Sequence, residues 1–183
     1  SNAVANQDVE WYNKGLALFS EKKYQQALSC FDKALPMFTH DDNMVIRILN
    51  ARGNCFYYLE EYPKCIENHH KAMLIEPTSV TGATLYNMGT AYGEMERFPD
   101  AIKCFEQAVP RGLTKEQQKL AKEQIRRCKL LLKEQEKKVI DSVIRTVDIF
   151  PTILDILNID KPEELDGKSF LSIFEGKSDN QRI

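Results

Sequence analysis

The sequence predicts an all-α chain: a right-handed α-solenoid of three helical hairpins, closed by a long capping helix and followed by a short helical appendage. Three observations predict it. Gly15, Gly53 and Gly89 recur 38 and 36 residues apart, each inside the same pattern of apolar neighbours. Residues 114–138 then carry a single apolar stripe at helical spacing on an otherwise charged segment. Finally, the 183 residues suffice to bury a core without disulfide staples.

The first hairpin reads Trp11, Tyr12, Asn13, Lys14, Gly15, Leu16, Ala17 and Leu18, then Tyr24, Ala27, Phe31 and Ala34. The second aligns with it through Leu49, Gly53, Phe56, Tyr62, Cys65, His69, Ala72 and Pro77, and the third through Leu85, Gly89, Tyr92, Phe98, Ala101, Phe105 and Ala108. Glycine inside a helix costs about 1 kcal/mol relative to alanine, so its return at one repeat position marks a shared packing need. Opposite it, Ala27, Cys65 and Ala101 are small, which lets two antiparallel helices approach while the large rings fill the space beside them.

This pattern resembles the tetratricopeptide repeat, Trp-x2-Leu-Gly-x2-Tyr followed by Ala-x3-Phe and then Ala and Pro. The resemblance places repeats at about 8–41, 46–79 and 82–113, and with the cap a domain over 4–138. Departures from the pattern are local. Lys14 and Arg52 stand where Leu is usual, His69 replaces an aromatic ring, and the linker from Phe38 to Asn43 is about four residues long in excess. Pro36 and Pro110 lie two residues past the last repeat alanine and should end the second helices of hairpins one and three early.

In the cap, Ala121, Ile125, Cys128 and Leu132 follow spacings of four, three and four. Such a stripe covers the open face of the last hairpin and turns its charged side to water. From Val139 the pattern changes. Val147-Asp148-Ile149-Phe150-Pro151-Thr152 and Leu165-Asp166-Gly167-Lys168-Ser169 resemble, over 139–176, a late non-catalytic segment of the sulfatase and alkaline-phosphatase superfamily. That resemblance implies a strand, then a helix capped by Asp148 with Pro151 in its first turn, then a turn at Gly167 and a short helix over 170–174. The strongly apolar run over 147–157 needs cover, from the solenoid or from a second copy of the chain in a homodimer.

The resemblance implies scaffold without chemistry. In that superfamily the nucleophile is a Cys or Ser within a motif such as Cys-x-Pro-x-Arg, and none of the five cysteines here belongs to one. They are odd in number and scattered, which suits neither a disulfide framework nor a zinc cluster. Cys65 and His69 share a helix face but are only two ligands, too few for zinc. The expected site therefore holds no catalytic residue, no metal and no cofactor, and the alternative is a regulatory or vestigial fragment of a sulfatase-like or phosphatase-like enzyme.

Function then rests on the hollow face, which in such a solenoid is lined by the first helix of each repeat. By repeat position these residues are Tyr12, Asn13, Leu16, Phe19, Arg47, Asn50, Asn54, Tyr57, Tyr86, Asn87 and Thr90. Rings anchor apolar groups and amides bond a peptide backbone, so the expected partner is a protein or peptide. Asn50 and Asn54 are the expected backbone ligands, removable without loss of fold. The carboxylate clamp known in this repeat family is not matched, because its positions hold Tyr12, Leu16, Ala51, Ala83 and Asn87. A formal net charge of -2 and the lack of a basic stripe argue against nucleic acid, and short apolar runs argue against a membrane span. The expected location is cytoplasmic, or periplasmic or secreted if a signal peptide has been removed, since Ser1-Asn2-Ala3 resembles the scar of a cleaved tag.

Overall fold

The computed structural model describes residues 2–157, with side chains over 9–151 and at Ile156 and Leu157. Seven α-helices account for nearly all of it, and no strand occurs among the described residues: α1 (Asn2–Ser20), α2 (Tyr24–Ala34), α3 (Asp42–Tyr58), α4 (Tyr62–Ile75), α5 (Gly82–Glu94), α6 (Phe98–Ala108) and α7 (Lys115–Ile156). Helices α1 and α2, α3 and α4, and α5 and α6 pair as hairpins. The hairpins stack through α2 on α3 and α4 on α5. Two compact units result, Ser1–Leu131 and Leu132–Ile183.

The glycine register has a direct steric cause. A Cβ on Gly15 would stand 2.5 Å from the Phe31 ring, one on Gly53 2.6 Å from the His69 ring, and one on Gly89 2.8 Å from the Phe105 ring. Each glycine thus lets a ring of the second helix lie directly on the backbone of the first. Ala27, Cys65 and Ala101 are fully buried beside these contacts.

Each hairpin turns at one repeat position, where Lys22, Glu60 and Glu96 adopt φ of 62°, 59° and 57°. Around Glu60, the Glu60 amide donates to the Tyr57 carbonyl and the Glu61 amide to that of Phe56, closing the end of α3. Helices α2 and α6 stop at Ala34 and Ala108, two residues before Pro36 and Pro110, while α4 runs on to Ile75. Pro36 enters a 3₁₀ turn over Leu35–Phe38. The long linker ends in an N-cap, with the Asp41 carboxylate accepting from the Met44 amide at 3.1 Å, so α3 begins four residues ahead of the repeat.

The cations in place of leucine find aromatic partners. Lys14 sits 5.4 Å from the Trp11 ring centre, which Lys33 of α2 also approaches at 4.2 Å, and Arg52 lies over Phe56 at 5.9 Å. Arg52 also reaches across to α2, with Nε 3.0 Å from Asp32 Oδ1, an attraction of charges rather than a well-aimed hydrogen bond.

Helix α7 starts with a reciprocal capping box: the Gln117 amide donates to Thr114 Oγ1 at 3.2 Å and the Thr114 amide to Gln117 Oε1 at 2.9 Å. Ala121 and Cys128 are buried, while Ile125 and Leu132 are half-buried. Helix α7 does not end at residue 138. It continues to Ile156, so the strand implied for the segment after Val139 is absent, and Asp148 lies inside a helix instead of capping one. Backbone hydrogen bonds already formed along the preceding turns make extension by one residue favourable. Pro151 falls within this helix instead of in its first turn, and lacks the N–H that would bond the carbonyl four residues before it. The implied turn at Gly167 and helix over 170–174 lie outside the described residues. No described helix is long and apolar enough to cross a membrane.

Candidate functional site

Helices α1, α3 and α5 each contribute to the expected binding face. Asn13, Leu16 and Arg47 are exposed, and Tyr12, Phe19, Asn50, Asn54, Tyr57, Tyr86, Asn87 and Thr90 are half-buried. Three aromatic positions serve the fold as well as the face. Tyr12 packs on Phe31 with centroids 6.0 Å apart, and Tyr86 meets Phe105 edge-on at 5.2 Å. Tyr57 pairs with the Thr90 side chain, tying α3 to α5, and Thr90 Oγ1 in turn donates to the Tyr86 carbonyl at 3.2 Å. Burial pushes the Tyr57 hydroxyl above its ordinary range, so it remains a neutral donor.

Asn50 departs from expectation. Its Nδ2 donates to the Ser79 carbonyl at 3.4 Å, and its Oδ1 lies 2.9 Å from Nδ1 of the buried His69. Its amide is committed to the second hairpin and the linker beyond it, so Asn50 is not removable without cost to the fold. Asn13, Asn54 and Asn87 have no such internal side-chain bond among the described residues.

Two features escaped sequence reasoning. Phe19 belongs to an aromatic cluster that includes Tyr24 and Tyr58, whose rings stack at 4.8 Å and 10°, with Tyr57 edge-on to Tyr58 at 5.2 Å and Tyr62 beyond it. Tyr58 is 49% exposed, and its position next to Tyr57 at the end of α3 was the available signal. The other feature is a cavity of about 280 Å3 lined by Ala83, Tyr86, Asn87, Leu113, Gln117 and Leu120.

The thiols are chemically quiet. All five cysteines are free and buried, and burial pushes Cys55 and Cys65 up to about 12 and Cys104 up to about 11. Protonated thiols at these positions are poor nucleophiles and poor ligands. No group of three or more His, Cys, Asp or Glu suited to a metal occurs among the described residues.

Two tetratricopeptide-repeat family models match the chain, one over residues 9–37 and one over 44–111. No curated protein matches it. Among solved structures, the tetratricopeptide domain of P58(IPK) superposes with a TM-score of 0.62 at 18% identity, over 74% of this chain and 36% of that one. The Arabidopsis OM64 domain gives 0.57 at 20% identity, over 68% of this chain and 98% of that one. The Hsp90 co-chaperone Cns1 from Saccharomyces cerevisiae gives 0.61 at 20% identity, over 88% and 54%. This chain thus spans about a third of the first and about half of the third. At such identities the likeness is one of fold. The matched models stop at residue 111, and the likeness of 139–176 to a sulfatase segment rests on the sequence resemblance alone.

Proposed function

We propose, from the premise that residues 9–37 and 44–111 are tetratricopeptide repeats, that this chain is a non-catalytic adaptor holding a peptide or partner protein against α1, α3 and α5. One observation carries the proposal. Among the described residues Asn13, Asn54 and Asn87, one on each first helix, make no internal side-chain bond and have half-exposed rings near them in sequence, whereas Asn50 is bonded inward. An amide of this kind on each first helix supplies the donors and acceptors that an extended backbone needs. One structural neighbour is an Hsp90 co-chaperone, which fits an adaptor, but the clamp positions here hold no cation, so a carboxylate terminus is not the ligand we propose.

The test is a partner recovered by pull-down with the intact chain and then titrated. Asn54→Ala with Asn87→Ala should weaken binding by about tenfold or more and leave the melting temperature within a degree or two. Unchanged affinity would sink the groove.

A second reading concerns α7. Val139, Ile140 and Val143 are 59%, 57% and 44% exposed, and with Val147 they form one stripe at helical spacing. The same stripe on a second copy is the complement we propose for it, giving a homodimer. Val139→Glu with Val143→Glu should then lower the mass found by light scattering to that of one chain, and a chain already monomeric excludes the idea. No observation favours the enzyme-fragment alternative, since its implied strand is helix.

A further inference from the structure

The cavity where α5 meets α7 has a definite chemical character. Ala83, Tyr86 and Asn87 come from α5, Leu113 from the loop before α7, and Gln117 and Leu120 from the first turns of α7. An apolar cavity of about 150 Å3 accommodates benzene. At about 280 Å3, this one has room for a leucine, methionine or phenylalanine side chain.

Its walls select for such a group. Leu113 is buried, the Tyr86 ring is held edge-on by Phe105, and Leu120 stays 55% exposed. No charged side chain is among the lining residues, so an entering carboxylate or ammonium would lose its water without gaining a counter-charge. The polar groups are two amides. Gln117 Oε1 already accepts from the Thr114 amide at 2.9 Å, which fixes the side chain and leaves its NH2 as donor. Asn87 offers both a donor and an acceptor. A sugar or nucleotide would set many hydroxyls or phosphates against leucine. An apolar side chain on a peptide backbone leaves nothing unpaired: the side chain fills the cavity, a carbonyl meets Gln117, and a backbone amide meets Asn87. Tyr86 and Asn87 also belong to the proposed binding face, so the cavity continues it.

We infer that this cavity is the anchor pocket of the groove, taking one leucine, methionine or phenylalanine side chain from an extended partner segment. The inference rests on the groove reading above and adds the class of residue recognised.

The test uses the full chain with methyl and amide NMR, titrated with capped pentapeptides of glycine carrying Leu, Lys or Glu at the centre. The leucine peptide should shift the Leu113 and Leu120 methyls and the Asn87 side-chain amide, and bind at least about tenfold more tightly than the other two. Ala83→Trp, which fills the cavity, should abolish the response. Leu120→Ser, at an exposed site that tolerates polarity, should weaken it about tenfold and serves if the tryptophan disturbs folding. Lys71→Ala, on the exposed face of α4, should leave it unchanged. No shift, an equal response to the lysine or glutamate peptide, or a response surviving both pocket variants overturns the inference. If that happens while partner capture still depends on Asn54 and Asn87, the groove reading stands and only the anchor is wrong.

Discussion

His69 Nδ1 lies 2.9 Å from Asn50 Oδ1, at the two repeat positions where the other hairpins pair Tyr12 with Phe31 and Tyr86 with Phe105. The second hairpin carries a hydrogen bond where the other two carry a contact between rings. Because Asn50 Nδ2 donates to Ser79, its Oδ1 accepts from His69 Nδ1–H. His69 Nε2 is then left buried and unpartnered beside Gly53.

Exchanging both members should restore the ring pair. His69→Phe alone strands the Asn50 carbonyl, and Asn50→Tyr alone strands the imidazole, each at about 1–3 kcal/mol. The double variant should recover most of the loss, with a coupling of at least about 1 kcal/mol in a denaturant-unfolding cycle. Additive losses would mean that the pair is incidental.

The same burial makes stability depend on pH. Desolvation, with His70 nearby, holds His69 down to about 4 from an ordinary 6.5. A base depressed in the folded state binds its proton more readily once unfolded. Its contribution is whole above pH 6.5 and is lost as pH falls towards 4, by roughly 3 kcal/mol at most. Chemical unfolding between pH 7 and 4 should show this slope, and His69→Phe with Asn50→Tyr should flatten it. An equal slope in the variant would assign the loss to other groups.

Two glycines of α5 should respond in opposite directions. Gly89→Ala drives a Cβ to 2.8 Å from Phe105 and should destabilise by about 1–3 kcal/mol. Gly93→Ala meets nothing within 4 Å and should stabilise by up to about 1 kcal/mol through helix propensity. Thermal melts of the two variants decide it, and the same sign for both would refute the steric account of the repeat glycine.

Glu60 holds φ of 59° at the turn of the second hairpin, a conformation that costs a residue with a Cβ about 1 kcal/mol. Glu60→Gly relieves that strain but gives the unfolded chain more freedom, so the expected net gain is about 0.5 kcal/mol. A measured loss would show that the glutamate side chain contributes more than its backbone costs.

The sequence alone determined whatever repeats with a short period. The steric conflict between a Cβ at Gly15, Gly53 or Gly89 and the ring sixteen residues later is rebuilt in every hairpin, so it is written three times and can be read by alignment. Pro36 and Pro110 act on their own backbone, which made the ends of α2 and α6 legible as well. Tertiary structure alone decided where side chains with two plausible partners would turn. Asn50 lies by repeat position on the binding face, yet His69 and Ser79 draw its amide inward. The stacking of Tyr24 on Tyr58 and the cavity among Ala83, Leu113 and Leu120 likewise join residues from different hairpins or from the cap. Such contacts depend on rotamers and on how neighbouring elements stack, and a one-dimensional period carries neither. Where α7 would end was also beyond a local pattern, because Asp148 and Pro151 read locally as a helix start, whereas the helix that begins at Lys115 runs through both despite the cost of an internal proline.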